Sequence, residues 1–175
     1  RLMVGHVLPF FPEYAWALEA LCSGRYGALR GGAFRRVISD PAWLANFWNA
    51  DAVGGPLFDL HVHDAHFIRL LFGMPDDVVS RGRTKNGLPE FWHSFFTYRD
   101  NDYLVSATSG TTPHQGRAFN HGFEVHLERA TLMFVFGLLV LAIFIPSLAV
   151  QVRRFHDQDK SGWFVLLNFI PYVGG

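Results

Sequence analysis

The sequence predicts an α+β fold: a mostly antiparallel open sheet with helices on one face, followed by an α-helical transmembrane segment. Three observations carry that expectation. From Asp77 to Phe134, runs rich in β-branched and aromatic residues follow one another with only turn signals between them, which suits strands joined without helices. Two upstream stretches, opening near Pro12 and Pro56, carry helix start and stop residues instead. Finally, the 23 residues from Ala130 to Val152 contain no charge. At about 1.5 Å per residue such a run spans a hydrocarbon core of about 30 Å, and LMFVFGLLVLAIFIPSLAV offers water no polar face.

Taken in order, VGHVLPFF (Val4 to Phe11) reads as a strand, and PEYAWALEALCSG reads as a helix with Pro12 in its first turn and Gly24 as its stop. GAFRRVIS is a second strand. GGPLFDLHVHDAHFIRLLFGMP reads as a helix, with Pro56 where a first turn tolerates it and Gly73 ahead of Met74 and Pro75 as its end. Strands follow at DVVSRGR, FWHSFFTY, YLVSATS and FEVHLERATLMF, with RDND turning Tyr98 back toward Tyr103 as a hairpin. GTTPHQGRAFNHG is a polar loop between strands. The expected domains are residues 1–134, the sheet, and 135–175, a membrane segment with one full and one truncated transmembrane helix.

Composition excludes several function classes. Fifteen basic residues balance fifteen acidic ones in the 175-residue chain, so no global field points to nucleic acid. The single cysteine, Cys22, leaves no intramolecular disulfide framework and no multi-cysteine zinc or iron–sulfur site. The chain begins at Arg1 and ends at Gly175 just after an apolar run, which reads as a piece cut at both ends. Five histidines, His93, His114, His121, His126 and His156, lack ligand spacing and read as surface or core residues.

Three histidines and two aspartates crowd between Asp59 and His66. On an α-helix, Asp59, His63 and His66 fall within about 60° of one another, while Leu57, Leu60, Phe67, Ile68 and Leu71 line another side and His61 points away from the stripe. Asp59 and His63, four apart, can touch. A carboxylate that fixes the tautomer of an imidazole leaves the other nitrogen free to take a proton from a substrate hydroxyl. The same spacing also serves a buried histidine satisfied by a neighbouring aspartate.

The run from VGHVLPFFPEY through LEALCSGRYGALRGG to WNADAVGGPLFDLHVHDAHFIRLLFGMP, with FEVHLERATLMF later, resembles the C-terminal substrate domain of the Gfo/Idh/MocA oxidoreductases. The most specific element is the glycine pair Gly54 and Gly55, then Asp59, then His63. The resemblance implies an NAD(P)-dependent oxidoreductase acting on a hydroxyl of a sugar, inositol or related polyol, with His63 as proton acceptor, Asp59 as its partner, and Trp48 and His66 beside the substrate. It implies NAD or NADP as cofactor and self-association through the open sheet. Pro9 stands where many members carry arginine and His66 where many carry aspartate, which bears on substrate class. The nucleotide-binding half and its Lys-Pro motif are not in this sequence, and no two of the seventeen glycines are separated by a single residue, so even the start of a G-x-G-x-x-G fingerprint is missing.

RRFHDQDKSGWF, preceded by IPSLAVQV and followed by a run ending in IPYVGG, resembles the bacterial inner-membrane proteins called domain of unknown function 805. The resemblance implies residence in a lipid bilayer, with Arg153, Arg154 and Lys160 in a cytoplasmic loop and Trp163 at the interface. The dehydrogenase-like part would be cytoplasmic if it works as in its family, whereas a single crossing would put it outside; two coding fragments joined near Phe134 would reconcile the two. Alternatives are a membrane-anchored binding module without catalysis, and a zinc-dependent hydrolase using His61, His63 and His66, because HVHDAH approaches H-x-H-x-D-H.

Overall fold

In-and-out alternation along the β-rich runs is realised as one sheet. The computed structural model describes residues 4–136 together with positions 147, 149, 150 and 153. The chain divides into two units, Arg1–Phe136 and Gly137–Gly175. Six strands, β1 (Leu29–Ser39), β2 (Asp77–Lys85), β3 (Leu88–Thr97), β4 (Leu104–Thr112), β5 (Asn120–Leu127) and β6 (Thr131–Val135), lie in the order β2-β3-β4-β1-β5-β6. Four of the five pairings are antiparallel; β1 and β4 run parallel, with Phe34 opposite Ala107 and Arg36 opposite Ser109. The sheet is therefore mixed, because the chain leaves β1 through a loop and a helix and then forms β2 and β3 before it returns beside β1 as β4.

Phe34, Val105, Ala107, Phe123, Val125 and Leu132 form the inner face, buried under two helices, α1 (Pro12–Cys22) and α2 (Val62–Phe72). α1 contributes Tyr14, Ala17 and Ala20, and α2 contributes Phe67, Ile68, Leu71 and Phe72. Tyr14 sits edge-on to Phe67 and Phe123, with ring centroids 4.9 and 5.1 Å away. Such pairs contribute beyond their buried area. The opposite face, carrying Ala33, Arg35, His93, Ser106, Thr108, Glu124 and Met133, borders an open cleft of about 570 Å³.

Three expectations need correction. Val4 to Phe11 is not a strand: Leu8–Phe10 is a short 3-10 turn leading into α1, because Pro9 and Pro12 remove two ladder donors and preset helical φ. FEVHLERATLMF is two strands, with Glu128, Arg129 and Ala130 turning β5 into β6. The charge-free run beginning at Ala130 is not one helical unit, since Thr131–Val135 completes the sheet with Leu132 in its core. Beyond Phe136 the expected membrane segment lies outside the described residues, apart from the four isolated positions. Among the described residues, no helix is long and apolar enough to cross a membrane.

Candidate functional site

Gly54 and Gly55 bring the chain into the second helical segment, both at positive φ (79° and 71°), where a side chain would be strained. A Cβ on Gly54 would also lie 2.7 Å from the Phe58 ring. The helix then begins with a π-helical turn, Leu57–His61, before continuing as α2. Wider turns of this kind break the even angular spacing assumed for an α-helix. Side chains four apart across such a turn are therefore not held to one stripe.

Asp59 is exposed and borders a cleft of about 370 Å³ with Asp40, Trp43, Gln115, Arg117 and Phe119. His63 lies one turn on and makes no hydrogen bond with Asp59; the carboxylate acts on it only through space, favouring its protonated form. Burial, then the charge of Arg36 and the neighbouring His6, outweigh that pull and lower the His63 pKa from 6.5, so its imidazole is neutral near pH 7. His63 Nδ1 is enclosed without a partner. His66, lowered by burial, His6 and Arg69, stacks on His6 with centroids 4.1 Å apart and planes 8° from parallel; its Nδ1 is likewise enclosed and unpartnered. His66 thus belongs with His6 and His63, outside the residues that line the Asp59 cleft.

His61 turns the other way, as its angular position predicts. Its Nδ1 meets Ser109 Oγ at 3.0 Å and its Nε2 meets Ser94 Oγ at 3.1 Å, so both nitrogens are engaged beneath the sheet. Burial, with His93 nearby, drives its pKa to about 4. His61, His63 and His66 therefore do not converge on one point, and among the described residues no group of three histidine, cysteine or carboxylate side chains is placed to hold a metal. The zinc arrangement is set aside on that geometry.

Trp48 does not line the cleft. Its Nε1 donates to Asp40 Oδ1 at 2.9 Å, and Lys85, which also donates to Asp40, stands 4.7 Å over its ring. Burial would raise the Asp40 carboxyl, but the bonds from Lys85 and Trp48 and the lysine charge hold it below 3.8. Trp48 is a strut behind a cleft carboxylate.

The sequence reading missed a buried polar network. Arg36 Nε and Nη2 donate to Asp64 Oδ2 and Oδ1 at 3.2 and 2.9 Å, Nη2 also donates to the Tyr14 hydroxyl at 3.2 Å, and that hydroxyl meets His121 Nδ1 at 3.2 Å. Arg36, Asp64, Tyr14 and His121 are all buried. Burial raises the Asp64 carboxyl against the pull of Arg36, raises the Tyr14 hydroxyl, and with Arg36 lowers His121 to about 4. A signal was present: in GAFRRVIS, Arg36 shares the inward register of Phe34, and a charge there needs a partner. The network's positive end depresses His63 as well, although the two side chains do not bond.

A dinucleotide does not fit the described residues. The amides of Gly54 and Gly55, the glycine pair ahead of the helix, already donate to Asn49 O and Phe47 O at 2.9 Å each, so they cannot cradle a phosphate. The parallel strands β1 and β4 are linked through two further strands, without the strand–turn–helix–strand unit that such a cofactor requires.

A family described as "Protein of unknown function (DUF805)" matches residues 81–175. Over 43 residues, 25% of this chain, the sequence is 46% identical to Inner membrane protein YhaI and 49% identical to Inner membrane protein YhaH, both of Escherichia coli (strain K12). The match covers 36% and 33% of those proteins, so the chain spans about a third of the length of its curated relatives. Among solved structures, scyllo-inositol dehydrogenase from Lactobacillus casei with bound NAD(H) and scyllo-inositol superposes with a TM-score of 0.62 at 18% identity, over 75% of this chain and 41% of that one. Levoglucosan dehydrogenase in complex with NADH and levoglucosan gives 0.67 at 19%, over 77% and 40%. The shared fold is that of Gfo/Idh/MocA-like dehydrogenases.

Proposed function

The chain belongs to the DUF805 family, and because its first unit also carries a Gfo/Idh/MocA-like dehydrogenase fold, we propose that residues 4–136 form the substrate-binding half of an NAD(P)-dependent oxidoreductase, joined to an inner-membrane segment. The substrate is a hydroxyl-bearing sugar, inositol or related polyol. One observation carries the reading: an unpaired carboxylate, Asp59, borders a ligand-sized cleft, and one turn on, beside the residues that line it, stands a histidine kept neutral by burial and by Arg36. A neutral imidazole accepts a proton at pH 7, and with Nδ1 enclosed, the open nitrogen for a substrate hydroxyl is Nε2. Asp59 receives a neighbouring hydroxyl and favours the imidazolium that forms. The described residues do not form a cradle for NAD(P), so the chemistry proposed for this half is confined to holding the substrate and receiving its hydroxyl proton.

Residues 137–175 would hold the protein in the bilayer with Arg153, Arg154 and Lys160 on the cytoplasmic side, and the open sheet face, where Phe95 and Met133 are about half exposed, would serve self-association. The test is titration of the full chain in detergent micelles with myo-inositol and D-glucose, then with NAD added. Saturable carbohydrate binding that weakens in Asp59→Asn and His63→Ala is expected; absence of binding to any polyol or sugar overturns the reading. A second reading, a membrane-anchored binding module without catalysis, is favoured by the occupied amides of Gly54 and Gly55. It would be distinguished by carbohydrate binding that never gives cofactor reduction, even when a nucleotide-binding half is supplied in trans. Intact transcripts across Thr131 to Leu139 are the matching test of a genuine fusion.

A further inference from the structure

Arg117 lies in the loop before β5 and borders both the cleft that Asp59 lines and the larger cleft on the open sheet face. Its backbone is fixed, with the amide donating to Ser39 Oγ at 2.9 Å and the carbonyl accepting from that hydroxyl at 3.3 Å, so the side chain is carried by the end of β1 and not by a free loop. The guanidinium has no such tie. Its Nε is enclosed and meets no acceptor, and among the described residues no carboxylate pairs with it. Arg36 is matched with Asp64 and Lys85 with Asp40, whereas Arg35, on the open sheet face, has no carboxylate partner among the described residues.

On the carboxylate side of the cleft, Asp40 has both oxygens engaged by Trp48 and Lys85, whereas Asp59 has neither engaged. The cleft therefore presents one unmatched guanidinium and one unmatched carboxylate that do not reach each other. The same cleft is lined by two exposed aromatic rings, Trp43 at 84% and Phe119 at 41%. A half-buried guanidinium without an anion is costly, and its planar fork matches a carboxylate with two parallel bonds. A neutral polyol would satisfy Asp59 through its hydroxyls and leave Arg117 unmatched.

Resting on the carbohydrate reading of this cleft, we infer that its ligand is a sugar acid, a uronic or aldonic acid whose carboxylate is received by Arg117 and whose hydroxyls are received by Asp59. Trp43 and Phe119 cover the apolar face of the ligand. A cleft of about 370 Å³ suits a single sugar acid.

The experiment is calorimetric titration of the full chain in neutral detergent at low salt, with D-glucuronate and D-gluconate against D-glucose and myo-inositol. The acids should bind about tenfold or more tightly than the neutral compounds, the scale of a charge-assisted bond. Arg117→Gln should remove that preference while changing neutral binding less than about threefold, with unchanged tryptophan fluorescence as the check on folding. Asp59→Asn should weaken acids and neutral compounds alike. Neutral compounds binding as tightly as the acids overturn the sugar-acid assignment and leave the carbohydrate reading standing, as does equal weakening of both classes in Arg117→Gln. Binding by none of the four compounds overturns both.

Discussion

Replacing Asp64 by asparagine removes the charge that faces Arg36 at 2.9 and 3.2 Å and keeps the volume, so the perturbation is almost purely electrostatic. Both partners are nearly inaccessible, at 0% and 4% exposure, and the remaining partner of the guanidinium is the Tyr14 hydroxyl. Leaving one member of a buried pair unmatched costs about 3–5 kcal/mol, a large part of the roughly 5–15 kcal/mol that keeps a domain folded. The pair itself is a different matter. Burial raises the Asp64 carboxyl despite Arg36, so desolvation outweighs attraction on the acid side, and an apolar pair of similar size should restore most of the loss. Urea unfolding of the full chain in micelles, followed by tryptophan fluorescence, should therefore show Asp64→Asn and Arg36→Met each strongly destabilised. Arg36→Met with Asp64→Leu should lie within about 1 kcal/mol of the parent, giving a coupling energy above roughly 2 kcal/mol. Additive single losses, or an Asp64→Asn cost below about 1 kcal/mol, would refute the claim that this pair is desolvated and mutually required.

His61 and His121 both titrate near 4 in the folded chain against 6.5 unfolded, so the unfolded state binds more protons between those values. Their contribution is complete above pH 6.5 and disappears as pH falls toward 4, by about 3 kcal/mol for each at most; melting temperature against pH reads this, and His121→Phe should flatten the curve. Gly54→Ala should cost about 1–3 kcal/mol in thermal unfolding, since it combines a φ of +79° with a Cβ 2.7 Å from Phe58. Trp48→Phe removes the indole bond to Asp40, so the Asp40 carboxyl should titrate higher than in the parent when followed by carbon-detected NMR. Arg36→Met made together with Asp64→Leu should raise the His63 titration midpoint, because the second-largest cause of its depression is gone.

The helices and most strands were legible because their signals are local. Pro12 and Gly24 bracket α1, Pro56 and Gly73 bracket the second helical stretch, and Arg99 to Asp102 turn β3 into β4. What escaped is non-local. The parallel pairing of β1 with β4 depends on where a long connection returns, and no residue of GAFRRVIS or YLVSATS encodes it by itself. The proximity of Asp59 and His63 in sequence also suggested a hydrogen-bonded dyad, and uniform helical spacing could not register a π turn between them. Asp64 was hidden among more conspicuous histidines, and its partner lies 28 positions away on a strand. Arg117 sits in a stretch whose composition reads only as loop; its interest comes from what it fails to touch.

The π turn at Leu57–His61 carries one more residue than the α-helical winding that follows it. Deleting a single position there would let the segment coil uniformly while the residues before Leu57 kept their phase relative to Phe67 and Ile68, because the surplus residue is taken up within the one wide turn. The side chains re-aimed would be those inside the turn itself, Asp59 among them, without any change to their own chemistry. One surplus amino acid thus decides how this carboxylate is presented to a ligand.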